Sequence, residues 1–157
     1  MKVQYINPFV TATFSVIRTM MSMEATKGEL AMRPSMFTSQ QCNVITGVTG
    51  HIQGQIIYGM SLITADKIAS QMLGQPIRTF DQLAASAIAE LGNMITGNAS
   101  ILLAEAGFEC DITPPSIIRG TQVKISTLDI PALVVPIHLP VGDLELTVCL
   151  QSRGHLK

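Results

Sequence analysis

Residues 34–65 contain no Asp, Glu, Lys or Arg, and this charge-free stretch limits what the chain can fold into. It belongs either to a membrane span or to the interior of a fold. The membrane alternative fails because Pro34, Gln40, Gln41, Asn43, Gly47, Gly50 and Gly54 interrupt it. No apolar run of the ~20 residues that a spanning helix needs is left. What remains is NVITGVTGHIQGQIIYGMS, which alternates and is punctuated by glycine. Val44, Gly50, Ile52, Gly54 and Ile56 set the rhythm of a β-hairpin.

Composition supports a well-buried chain. Hydrophobic residues make up 47% and charged residues 13%, with a mean hydropathy of +0.38; an average soluble protein carries about 25% charged residues. That balance predicts a large core and a subunit interface hiding further apolar surface. At 157 residues the expectation is one domain, 1–157, of a size that needs no staples. The start, MKVQYINPFVTATFSVI, has polar interruptions at Gln4, Asn7, Pro8 and Thr11 and no clean cleavage site, so it does not read as a signal peptide. Cys42, Cys110 and Cys149 are odd in number and far apart, which argues against a disulfide framework or a zinc site. They read as small buried hydrophobes. The net charge of −1, with no Lys/Arg cluster, speaks against nucleic acid. The expectation is a cytoplasmic protein with no membrane association.

Residues 7–22 predict a first helix, with Val10, Phe14, Ile17 and Met21 on its apolar face. Asn7 is its expected N-cap and Pro8 its first helical residue. A short strand is expected near Glu29–Met32. Residues 63–73 form a short helix, with Ile68 and Met72 one turn apart and Gly74 as C-cap. A long helix starts at Thr79 or Asp81, runs to Ala106 and is closed by Gly107. A loop around Pro114–Pro115 follows, then strands in QVKIS, ALVVPIHLP and DLELTVCLQ, and a frayed SRGHLK tail. Both halves run from a helix through an extended region to a glycine-marked hairpin. TGHIQGQIIY and VGDLELTVCL share a Gly followed by alternating apolar residues. This order predicts an internal duplication and an α+β fold, an antiparallel sheet packed with two long helices.

The long helix carries AELGNMITGNAS, with two glycines and two asparagines where Ala, Leu and Ile would serve a helix better. At about 100° per residue, Ala84, Ile88, Leu91, Ile95 and Leu102 face the sheet. Ser86, Glu90, Asn93, Gly97 and Ser100 centre on the opposite side. Glu90 and Asn93 lie three apart, about 60° around the axis, among the small residues Ala89, Gly97 and Ser100. Such a face admits another molecule close to the backbone. An exposed Glu and Asn at this spacing are also common on any amphipathic helix. Asn98 is expected to be buried and hydrogen-bonded.

AIAELGNMITGNAS resembles the signature helix of the CheC/CheX/FliY family of chemotaxis phosphatases, in which an acid, two spacers and an Asn precede small residues. INPFVTATFSVIRTMM resembles the family's first helix, GHIQGQIIYGMS its first hairpin, and TPPSIIRG the segment after the signature helix. CheC-type members carry Glu-x-x-Asn on both long helices. TATFSVIRTM has none, so the single copy looks like the CheX branch, and the length leaves no room for FliY's flagellar-switch domain. The resemblance implies a CheC-like fold and hydrolysis of the aspartyl phosphate of a CheY-like response regulator, the 81–106 helix entering the receiver's active site. It implies that Asn93 orients the attacking water and Glu90 docks against the receiver's Lys, while Ala89, Gly97 and Ser100 give clearance. It also implies a homodimer through sheet edges. No cofactor or metal of its own is expected, Mg²⁺ belonging to the receiver. A binding or adaptor module without activity, and a flagellar-switch structural component, remain open beside it.

Other signals carry less. GVTGHIQGQ lacks the GK[ST] of a phosphate loop. His51, His138 and His155 show no metal spacing. Met20, Met21, Met23 and Met32 read as core filling or as an adaptable contact surface.

Overall fold

In the computed structural model, which describes residues 3–127 and 130–153, two long hairpins meet edge to edge. The first joins β4 (Cys42–Gly50) to β5 (Ile52–Met60), and the second joins β9 (Ala132–Leu139) to β10 (Gly142–Ser152). β5 and β10 pair antiparallel from Ile52↔Ser152 to Gly59↔Glu145. Gly54 sits at this seam with φ +147°, and a Cβ there would lie 1.8 Å from the Cys149 carbonyl oxygen. Only glycine fits such an approach. The alternation that marks the hairpins in the sequence therefore builds the centre of one sheet.

Short arms complete it. β1 (Thr26–Lys27) and β2 (Ala31–Arg33) precede the first hairpin but pair with β9, in the second. β6 (Cys110–Ile112) and β7 (Ser116–Arg119) precede the second hairpin but pair with β4, in the first. β3 (Met36–Thr38) and β8 (Lys124–Ser126) pair with each other. The sheet order is β1-β9-β10-β5-β4-β6, with β2 also on β9 and β7 also on β4. Each half thus lends its arm to the other half's hairpin, a duplicated α+β frame with exchanged edges. Pro114–Pro115 do lie in a loop, residues 113–115, as expected, but it is short and joins two strands, β6 and β7. The expected strand near Glu29–Met32 is two short ones, placed slightly differently. Arms of two to four residues hold through their partner strand, so they leave almost no periodicity of their own.

The helices α1 (Val3–Met21), α2 (Leu62–Leu73) and α3 (Gln82–Glu105) supply the helical layer. Tyr5, Phe9, Ile17, Ile68, Ile88, Leu91 and Ile95 share one core with Ile52, Ile56, Val135, Leu144 and Leu146 from the strands. On a separate cluster, Phe37 of β3 and Ile125 of β8 pack against Ile57 of β5. α1 starts earlier than its sequence suggests. Asn7 is not its N-cap and Pro8 lies inside the helix. Tyr5 and Ile6 are buried, and Tyr5 meets Phe108 edge-on at 5.2 Å; that burial draws the preceding turn into the helix. Phe14 is only partly buried. Among the four methionines singled out, Met21 is buried, Met20 and Met23 are partly buried and Met32 is exposed.

α2 is capped by Ser61, whose Oγ accepts from the Thr64 N–H, and ended by Gly74 at φ 67°. β10 runs through Ser152, so Ser152 belongs to a strand rather than to a tail. Residues 154–157 of that expected tail, with His155, lie outside the described residues. Cys42 and Cys149 are buried, Cys110 is partly so, and all three are free thiols. Among the described residues no helix is long and apolar enough to cross a membrane.

Candidate functional site

α3 begins cleanly because Asp81 caps it: its Oδ1 accepts from the Ala84 N–H at 2.9 Å, satisfying one of the donors a helix start leaves free. At the far end Gly107 takes φ +95° and the chain leaves toward β6. Between these points the helix presents two faces of different chemistry.

The inner face holds Ala84, Ile88, Leu91, Ile95, Ala99 and Leu103, all 2% exposed or less. Leu102 is only partly buried. Gly92 belongs to this face, whereas Gly97 lies on the outer one. A Cβ on Gly92 would come within 2.6 Å of Val44 Cγ1, so the helix rests against β4 where only a hydrogen can fit. Four residues on, the Thr96 hydroxyl is buried and bonded to Tyr58 Oη at 2.7 Å and Thr46 Oγ1 at 3.0 Å. Burial pushes the Tyr58 phenol well above its ordinary range, and the bond to Thr96 offsets that only in part. The group is neutral and serves as a hydrogen-bonding hydroxyl.

The outer face answers why a helix keeps such residues. Gly97 has nothing within 4 Å of where its Cβ would be. Ser100 turns its hydroxyl back to the Gly97 carbonyl at 2.7 Å, so it projects no free donor. Ala89 is small and half-buried. From this low ridge Glu90 stands exposed and Asn93 half-exposed. Among the described residues neither side chain has a hydrogen-bond partner. The structure thus brings Glu90, Asn93, Ala89, Gly97 and Ser100 onto one accessible surface. Leu83 and Ile101, 45% and 59% exposed, also lie on α3.

Asn98 is exposed, not buried as its place near the apolar side suggests. Ile101, three residues on, shows the reason: at 59% exposed it marks an open flank at this end of α3, while Ala99 and Leu103 keep the inner face covered. Thr96, Tyr58 and Thr46 escape sequence reasoning altogether. The signal available was a Gly and a Thr four apart on one flank.

The ridge is not a cavity. A shallow depression of about 300 Å³ opens beside the start of α3, lined by Phe80, Asp81, Gln82, Ala85 and Arg119. Arg119 donates to the Phe80 carbonyl at 2.7 Å. His138 pairs with Asp143 at 2.9 Å on the surface. Among the described residues no three His, Cys, Asp or Glu side chains gather as a metal site.

The chain is thus a duplicated α+β frame whose long helix α3 carries an exposed acid and a half-exposed amide among small residues. The family model for chemotaxis phosphatase CheX matches residues 42–138. A Thermotoga maritima protein named CheY-P phosphatase CheX is 31% identical over 98% of this chain and 100% of its own. The fold matches a CheC-like superfamily protein from Shewanella sp. PV-4 with a TM-score of 0.88, at 25% identity over 97% of this chain and 100% of that one. It also matches a chain of the CheX–CheY–BeF3–Mg²⁺ complex from Borrelia burgdorferi, with a TM-score of 0.83 and 33% identity over 96% and 100%. The chain belongs to the CheX family of chemotaxis phosphatases.

Proposed function

We propose that this protein dephosphorylates the aspartyl phosphate of a CheY-like response regulator in chemotaxis, and that α3 is the element it inserts into the receiver's active site. The observation that carries the assignment of the site is the Glu90–Asn93 pair, without a partner among the described residues, on a ridge with open space over Gly97. The name of the Thermotoga maritima relative and the CheY in the Borrelia burgdorferi complex support the substrate.

An aspartyl phosphate is an acyl phosphate. The receiver's own Mg²⁺ and Lys supply the charge stabilisation that phosphoryl transfer requires. What this chain adds is a water in line with phosphorus. The Asn93 amide oxygen accepts a hydrogen bond from that water, and the amide does not itself react, as with the water-orienting Gln of GTPases. Water attacks phosphorus, the bond from phosphorus to the aspartate oxygen breaks, and inorganic phosphate leaves. Glu90 pairs with the receiver's Lys and fixes the register of docking. Ala89, Gly97 and Ser100 keep the helix slim enough to enter. On this reading the chain carries no metal or cofactor of its own.

The test is phosphate release from a phosphorylated receiver. Asn93→Ala is expected to lower the rate by roughly 10²-fold or more with receiver affinity nearly unchanged, and Glu90→Ala mainly to weaken association. An undiminished Asn93→Ala rate refutes the role of the amide, and saturable binding without turnover by the wild-type chain identifies an adaptor instead. We also propose a cytoplasmic protein that forms a homodimer through sheet edges, and analytical ultracentrifugation tests the oligomeric state.

A further inference from the structure

Beneath the outer ridge lies a polar contact that the hydrolysis scheme does not use. Thr96, Tyr58 and Thr46 are 0%, 1% and 1% exposed, yet three hydroxyls meet there, at 2.7 and 3.0 Å. Polar groups in a core cost stability unless paired, and an apolar trio of the same shape packs about as well. Their value lies in direction. Apolar contact lets a helix turn against a sheet, whereas a hydrogen bond weakens steeply when its angle is lost.

The placement makes that direction matter. Val44 and Tyr58 are cross-strand partners on β4 and β5, and Thr46 is two residues along β4. Gly92 rests on Val44 and Tyr58, and Thr96, one turn later, bonds Tyr58 and Thr46. Two consecutive turns of α3 therefore sit on one two-stranded platform, and Asn93 leaves the helix between them. A side-chain tip about 5–6 Å from the helix axis moves about 1 Å for each 10° of helix rotation. A misplacement of that size at a reacting centre can cost about 10²-fold in rate.

We propose that Thr96, held by Tyr58 and Thr46, is a positioning residue that sets the rotation of α3 and so aims the Asn93 amide; this rests on the role given to Asn93 above. Gly92 sets how closely the helix approaches, and the hydroxyls set which way it faces.

The experiment measures kcat and KM for phosphate release from a phosphorylated CheY-like receiver, with each variant shown folded by circular dichroism at the assay temperature. Thr96→Val is expected to lower kcat about tenfold or more while KM moves less than about twofold. Tyr58→Phe lowers kcat less, because the Thr96–Thr46 bond survives. Thr96→Ser restores most of the rate. An unchanged kcat in Thr96→Val overturns the proposal, as does Thr96→Ser as slow as Thr96→Val. The NMR signal of the Asn93 side-chain amide gives a reading free of activity. It shifts in Thr96→Val and stays in place in Thr96→Ser; an unmoved signal in both overturns the proposal. A full rate in Asn93→Ala defeats the underlying catalytic reading instead, and the amide signal still decides whether Thr96 aims that side chain.

Discussion

Helices α1 and α3 hold equivalent places in the two halves, and each buries a threonine in its middle. The two threonines do different things. Thr13 donates to the Phe9 carbonyl of its own helix at 2.7 Å, a local bond that satisfies the hydroxyl and ties α1 to nothing else. Thr96 reaches out of its helix to hydroxyls on two strands. The outward faces differ in the same sense. On α1, Asn7, Thr11 and Ser15 are exposed with no acid among them, and the helix ends in a solvent-exposed Arg18–Glu24 pair. On α3, Glu90 and Asn93 rise from small residues. The two halves supply two such helices, and only α3 carries the acid and amide to which the proposed function assigns the chemistry.

The largest contrast expected is catalytic. Asn7→Ala, Thr11→Ala and Ser15→Ala combined on α1 should leave phosphate release at the wild-type rate, against the roughly 10²-fold loss of Asn93→Ala; a comparable loss from α1 would end the asymmetry. Next comes access. Gly97→Leu has open space around its Cβ and removes a helix-weakening glycine, so Tm should hold or rise while receiver binding, read by titration, weakens by about tenfold or more. Unimpaired binding would mean that the ridge does not enter a cleft.

Gly92→Ala comes third, and its effect is on stability. Its Cβ meets Val44 at 2.6 Å, and overpacking of this kind costs about 1–3 kcal/mol, measurable by denaturant unfolding. The smallest effect belongs to Thr13→Val. Losing a bond local to α1 should cost about 1 kcal/mol and leave kcat alone, whereas the same substitution at Thr96 should lower kcat. Equal kinetic effects at the two threonines would erase the distinction drawn between the helices.

Much of the site could be read before any coordinates. Glu90, Asn93, Ala89, Gly97 and Ser100 share a face because helical spacing alone puts them there. The hairpins, the Asp81 cap and Gly74 were legible for the same reason: each is a local pattern. The role of Gly92 was not legible, since two glycines five apart look alike until a strand stands under one of them. Asn98 was placed in the core by its wheel angle, and no neighbour covers it. Of the arms, only β2, near the expected Glu29–Met32 strand, and β8, in QVKIS, were legible, and none of their pairings was, because strands of two to four residues are held only through the strand they pair with.

The order of residues by itself determined the long helices, the two hairpins and an acid and amide side by side on one helix. Those depend on periodicity along a single segment, which a chain carries wherever it goes. Only the tertiary structure decided that each half's arm crosses to the other hairpin, that Gly92 seats α3 on β4 and that Thr96 bonds to Tyr58 and Thr46. Those outcomes depend on which atoms stand opposite a residue across distant sequence, and no local pattern encodes its own neighbour.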